Sequence, residues 1–246
     1  MTRAVVISDL HLVYEDTEAQ AIMRLLDQLR NDPPDELIIN GDLYELWRRD
    51  LAGSQWAAAD FTDKLEQIGA AGAKITYTIG NHDGYLIRHL EDDPRYPFDP
   101  QLDYRTTLDG VPFLFTHGHK YEPLYLPPGD DALALTDDHF GNLADWLWAH
   151  RPAPRNPVEN AALTALGPAA SYFDPEALTK NNARRKLIEW GIRQDTSDTE
   201  WGVIGHTHVP YVDEEERIAN SGSFTAGQAT YLEIEGGEPR LMTMFE

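Results

Sequence analysis

Short apolar runs alternate with helical repeats through the first half of the chain. Ala4-Val5-Val6-Ile7 is a continuous apolar run of strand length, and Ile22, Leu25, Leu26 and Leu29 then share one face of a helix from about Thr17 to Arg30. Thr17 followed three residues on by Gln20 has the form of a capping box, and Pro33-Pro34 cannot continue a helix. Further strand patterns follow at Glu36 to Ile39, Lys74 to Ile79 and Pro112 to Phe115, with a helix from about Gln55 to Ala71 between the first two. This alternation predicts βαβ units and a parallel sheet.

From Tyr121 to about Asp198 the pattern changes to Pro-rich connections and helical stretches, one over Leu133 to His150 and one over Pro175 to Arg193. Strand patterns return at Gly202 to Ile204, Tyr211-Val212, Ile218-Ala219, Thr230 to Ile234 and Leu241 to Met244. The expectation is one α/β domain over residues 1–246, interrupted by a helical insertion at about residues 121–198. No internal repeat or low-complexity tract is present.

The 246 residues include 41% hydrophobic ones, enough for a sizeable core. The absence of cysteine excludes disulfides, Cys-bound zinc and thiol nucleophiles, so a metal site must use His, Asp, Glu, Asn or water. The longest apolar runs, such as Leu37-Ile38-Ile39, are far too short to span a bilayer, and Met1-Thr2-Arg3 begins no signal-peptide pattern. The expectation is therefore a cytoplasmic protein with no membrane span. Twenty Lys+Arg against 42 Asp+Glu leave a net charge of -22, which disfavours nucleic acid as a partner. The acids are spread along the chain, and their mutual repulsion largely vanishes at about 1 M salt, where the Debye length is roughly 3 Å. This pattern suggests a halophilic source.

Five metal-competent motifs each sit where a predicted strand ends: Asp9-Leu10-His11, Gly41-Asp42, Gly80-Asn81-His82-Asp83, His117-Gly118-His119 and Gly205-His206-Thr207-His208. In open α/β sheets the carboxyl ends of neighbouring strands converge on one crevice, so residues distant in sequence can meet there. Six of the nine histidines lie in these motifs. A single Asp-x-His or Gly-Asp means little, but the joint occurrence of five at strand ends does not arise easily by chance.

In their order these blocks resemble the calcineurin-like metallophosphoesterases, over residues 4–119 and 202–223. The resemblance implies a β-sandwich of mixed sheets flanked by helices, here with a lid-like helical insertion. It also implies two ion positions, one held by Asp9, His11, Asp42 and His208 and the other by Asp42, Asn81, His117 and His206, with Asp42 shared. Phosphate-ester hydrolysis needs a nucleophile at neutral pH and positive charge over the phosphoryl oxygens. Two divalent ions about 3.5–4 Å apart supply both, the attacking group being a hydroxide that bridges them. Mixed oxygen and imidazole donors suit Mn²⁺, the first expectation, and also Fe, Zn²⁺ or Ni²⁺.

His82 is the expected catalytic group, protonating the leaving oxygen or stabilising charge on the phosphoryl group. Its carboxylate partner is expected to be Glu45, which the family pattern offers three positions after Asp42, or Asp83, adjacent in sequence. His119 could contact substrate or pack beside the site. Lys120, Arg184 and Arg185 are the candidate cations for an anionic substrate. Asn220-Ser221-Gly222-Ser223 matches a family loop near the metals.

The expected activity is that of a phosphodiesterase or phosphatase on a small anionic substrate. Gly41-Asp42-Leu43-Tyr44-Glu45-Leu46-Trp47 together with the insertion is similar to the UDP-2,3-diacylglucosamine pyrophosphatase branch, a narrower alternative. Two departures are His82, where that branch has Arg, and His117-Gly118-His119, where it has His-Gly-Asp. A non-catalytic protein-binding scaffold is the alternative from another class, and a DNA repair nuclease of this fold would want a basic groove.

Overall fold

A computed structural model of the protein describes residues 1–12, 17–45, 58–83, 100–121 and 182–244. Outside these lie the expected helix over Leu133 to His150, the start of the helix from Pro175, residues 55–57 of the helix expected from Gln55, and most of the expected insertion.

Two mixed sheets pack face to face. The first has the order β11-β10-β1-β2-β3-β4, with β1 (Arg3–Ile7), β2 (Glu36–Asn40), β3 (Lys74–Thr78), β4 (Pro100–Gln101), β10 (Thr230–Glu235) and β11 (Glu238–Thr243). The second has the order β5-β6-β7-β9-β8, with β5 (Asp103–Leu108), β6 (Val111–Thr116), β7 (Trp201–Ile204), β8 (Tyr211–Asp213) and β9 (Ile218–Asn220). Strands β1 to β4 run parallel, as do β6, β7 and β9, while β10 and β11 and the edge strands β5 and β8 pair antiparallel.

The period-two rule explains three apolar layers. Ala4 and Val6 of β1, Ile38 of β2 and Phe113 and Phe115 of β6 fill the space between the sheets, together with Trp201, Val203 and Leu232. The alternate residues Val5, Ile7, Leu37 and Ile39 point the other way, onto helices α1 (Ala19–Asn31) and α2 (Ala59–Ala70) through Ile22, Leu25, Leu29, Phe61 and Leu65. On the far side, Leu114, Ile204 and Ile218 meet Ile188 and Ile192 of α3 (Asn182–Asp195). The result is an α/β sandwich of mixed sheets with helices on its outer faces, the architecture expected.

One local expectation is corrected. Thr17 does not cap α1: its hydroxyl donates to the carbonyl of His11 at 2.6 Å, and the residue before the helix, Glu18, makes no side-chain cap. The β5–β6 hairpin turns at Asp109-Gly110, and β5 leaves no apolar run in the sequence because Asp103 to Thr107 alternate between exposed and half-buried on a sheet edge, with only Leu108 buried. Among the described residues no helix is long and apolar enough to cross a membrane.

Candidate metal centre

All five motifs follow parallel strands and emerge at one edge of the sandwich. Asp9 and His11 follow β1, Asp42 follows β2, Asn81 and His82 follow β3, His117 follows β6, and His206 and His208 follow β7. Backbone bonds knit the loops together: Asp9 N–H donates to Gly41 C=O, His11 N–H to Asp42 C=O and Gly205 N–H to His117 C=O, at 3.0–3.1 Å. The seven residues expected as ligands are thereby brought together, six of them buried and His208 half-buried.

Three sets of donor atoms are close enough to share an ion: Asp9 with His11 and His208, Asp42 with His117 and His206, and His11 with Asp42 and His82. In the first, His208 Nε2 lies 3.1 Å from Asp9 Oδ1 and 3.3 Å from His11 Nε2. In the second, His117 Nε2 lies 3.0 Å from Asp42 Oδ2. That same Oδ2 is 3.8 Å from His11 Nε2, so Asp42 faces both of these sets. Its other oxygen, Oδ1, accepts the backbone N–H of His82 at 2.8 Å, which fixes the carboxylate plane.

The chemistry of the donor set fits divalent ions. His117 Nδ1 lies 2.9 Å from the carbonyl oxygen of Asn40, which can only accept, so Nδ1 carries the hydrogen and Nε2 is the atom turned to the carboxylates. Such a bond from the far ring nitrogen is how ligand histidines are usually oriented. Buried carboxylates facing imidazoles, with no Lys or Arg among the described residues of the cluster, suit hard or borderline cations.

Electrostatics follow from this crowding. Burial alone would raise Asp42 and Asp9, but His117, with His82 and His11 for Asp42 and His208 for Asp9, holds both below the usual carboxylate range. Burial would lower His117, yet Asp42 and Asp9 push it up to about 10. For His119 the opposing pull of Asp42 is outweighed: burial, then His117, lower it to about 3. The His119 ring sits 5.5 Å from that of His117 and 6.1 Å from that of His206.

His82 Nδ1 is 2.9 Å from Glu45 Oε1, and Glu45 Oε2 is 3.3 Å from His11 Nδ1. Burial opposes ionisation of Glu45, but His82 and His11 hold its pKa far below that of an ordinary glutamate. The other candidate partner, Asp83, is placed elsewhere. Its carboxylate accepts from Gly80 N–H and Leu43 N–H, both at 2.6 Å, and from the Tyr77 hydroxyl, so it ties the Asn81 loop to the Asp42 loop. Side chains of adjacent residues diverge, which is why Asp83 points away from His82.

Five of the expected ligands have left-handed backbone, with φ of 52° at Asp9, 43° at His11, 53° at Asp42, 64° at His206 and 55° at His208. Non-glycine residues rarely adopt it, and they do so mainly where the surroundings over-determine them. The motif glycines serve close approach: a Cβ on Gly80 would lie 2.1 Å from Asp42 Oδ1, and one on Gly205 would lie 2.5 Å from Asp9 Oδ2.

Two of the candidate substrate cations carry ion pairs. Lys120 pairs with Asp103 at 2.6 Å and Asp195 at 3.3 Å. Arg185 pairs with Glu189 at 2.5 Å and stacks on the ring of Tyr211, 3.8 Å from its centroid. The side chain of Arg184 lies outside the described residues. Asn220, from the loop singled out in the sequence, donates to Gly205 C=O at 2.8 Å and Thr207 Oγ1 at 3.1 Å, holding the loop that carries His206 and His208. Sequence reasoning missed Asn40, whose only signal is a polar residue closing an apolar strand before Gly41-Asp42.

UDP-2,3-diacylglucosamine hydrolase of Shewanella halifaxensis is 26% identical over 224 residues, spanning 85% of this chain and 84% of its own. The DNA double-strand break repair protein Mre11 of Methanopyrus kandleri is 25% identical over 257 residues, spanning 93% of this chain but 49% of its own, so the chain spans about half of that relative. Yfce, a phosphoesterase from E. coli, shares the fold with a TM-score of 0.52 and 16% identity, over 99% of this chain and 94% of that one. A novel archaeal phosphodiesterase does so with a TM-score of 0.50 and 15% identity, over 98% and 99%. The Calcineurin-like phosphoesterase family model matches residues 2–210, most of the chain, and the protein belongs to that family.

Proposed function

We propose that the protein is a two-ion phosphodiesterase or phosphatase acting on a small anionic substrate. The observation that carries this reading is the meeting of two donor sets at one carboxylate oxygen, Asp42 Oδ2. Asp9, His11, Asp42 and His208 would hold one ion, and Asp42, Asn81, His117 and His206 the other. When bound, the pair would supply positive charge over the phosphoryl oxygens and a water acidic enough to attack at neutral pH.

The chain's own residues do the rest. Glu45 accepts from His82 Nδ1, which fixes the ring in place to give a proton to the leaving oxygen. Because Glu45 also lies against His11, one carboxylate orients an ion ligand and the proton donor together. The dense acidic surface makes high salt the natural assay condition.

The test is Mn²⁺-dependent hydrolysis of a chromogenic phosphodiester beside the matching monoester, with wild type and His82→Ala compared. Turnover is expected to fall by about 10²- to 10⁴-fold in the variant while ion binding persists. Equal turnover in both proteins would remove His82 from the mechanism.

A narrower reading is a nucleotide-sugar pyrophosphatase, favoured by the end-to-end similarity to UDP-2,3-diacylglucosamine hydrolase. Cleavage of the acylated UDP-sugar but not of simple diesters would select it. The net charge of -22 argues against nucleic acid as substrate in spite of the Mre11 similarity, and DNA cleavage by the purified protein would overturn that.

A further inference from the structure

We infer that Asn40 is a positioning residue for one of the two ion positions, an inference that rests on the two-ion reading above. Asn40 is the last residue of β2 and has no exposed surface. Its side-chain Nδ2 donates to the carbonyls of Thr116 and Val203, each at 3.1 Å. Its Oδ1 accepts from Thr78 Oγ1 at 2.7 Å, and its backbone carbonyl accepts from His117 Nδ1 at 2.9 Å. The amide orientation is determined, because a reversed amide would set its oxygen against two carbonyls that cannot donate.

These partners belong to β3, β6 and β7, so a single side chain joins four strand ends across both sheets. Asp42 follows β2, Asn81 follows β3, His117 follows β6 and His206 follows β7. They are the four residues assigned to the second ion position. Of the first position's donors, Asp9 and His11 follow β1, and no side-chain bond of Asn40 reaches β1. The loop carrying His208 is held instead by Asn220.

Such a clamp sets the distance between ligands contributed by different sheets, which the ladders within each sheet cannot do. Supporting bonds of this kind usually change metal affinity by about 10- to 100-fold when lost. A polar plug with no bearing on the ions would instead affect stability alone.

The experiment is calorimetric titration of the ion-free full chain with Mn²⁺, in wild type, Asn40→Leu and Thr78→Val. Wild type is expected to show two binding steps. Asn40→Leu is expected to weaken one step by about 10- to 100-fold and leave the other within about twofold. The affected step must be the one abolished by His206→Ala and kept by His208→Ala. Thr78→Val removes only the hydroxyl that Asn40 Oδ1 accepts from, keeps the side-chain shape, and should weaken the same step by less. It carries the test alone if Asn40→Leu does not fold. Two unshifted steps in the folded variants, or equal weakening of both in proportion to lost thermal stability, would overturn the clamp. A single step in wild type would overturn the two-ion reading instead.

Discussion

The interiors of β1, β2, β6 and β7 and their carboxyl ends are built on opposite terms. Inside, Ala4 to Ile7 and Leu37 to Ile39 alternate between two apolar layers, every residue is buried, and the backbone is satisfied by neighbouring strands. Within four residues of the strand ends the chain buries Asp9, His11, Asp42 and His117 beside one another, and five of the strand-end donors carry left-handed backbone that costs roughly 1–2 kcal/mol each in L-residues. The apolar layers supply the stability; the ends hold crowded charges and strained turns in place for chemistry. The lesson is that substitutions should separate cleanly, with stability lost in the interiors and ion binding lost at the ends.

The largest effect is expected at Asp42, the residue common to both donor sets. Asp42→Ala should remove both steps from an Mn²⁺ titration and abolish metal-dependent turnover, with a circular dichroism spectrum like that of wild type. Retention of either step at near-native affinity would break the assignment of Asp42 as the shared ligand.

Gly80→Ala should fall between the two regions. Its Cβ would have to displace Asp42 Oδ1, from 2.1 Å, so the variant is expected to lose about 1–3 kcal/mol in chemical denaturation and to bind ions more weakly as well. A loss of stability with unchanged ion affinity would show that the loop relaxes without moving the carboxylate.

The smallest effect is expected inside the sandwich. Ile38→Val removes one methylene from the layer between the sheets and should cost about 0.5–1.5 kcal/mol, with ion affinities and turnover unchanged. A change in ion binding here would mean that the interiors and the ends are not separable.

Much of the fold was legible because buried strands leave continuous apolar runs, and β1, β2, β3 and β6 begin or end within one residue of the runs that predict them. The polar edge strand β5 has no such run; its only signal was the Asp109-Gly110 hairpin turn. The site was legible as a set of strand-end motifs, since sheet topology requires parallel strands to deliver their ends to one edge. The ion-pair partners of Lys120 and Arg185 were not, because a cation is as readily paired with a neighbouring acid as aimed at a substrate. In this molecule Asp103, Asp195 and Glu189 take them up.

The amino-acid sequence by itself determined the family, the α/β class and the inventory of donors, because apolar period and residue chemistry are written locally. Only the tertiary structure decided which carboxylate faces His82, which turns are left-handed, and that Asn40 spans both sheets. Those outcomes depend on side-chain directions and on distances between segments remote in sequence. Glu45 and Asp83 are equivalent as acids until the strands close and only one of them reaches the imidazole.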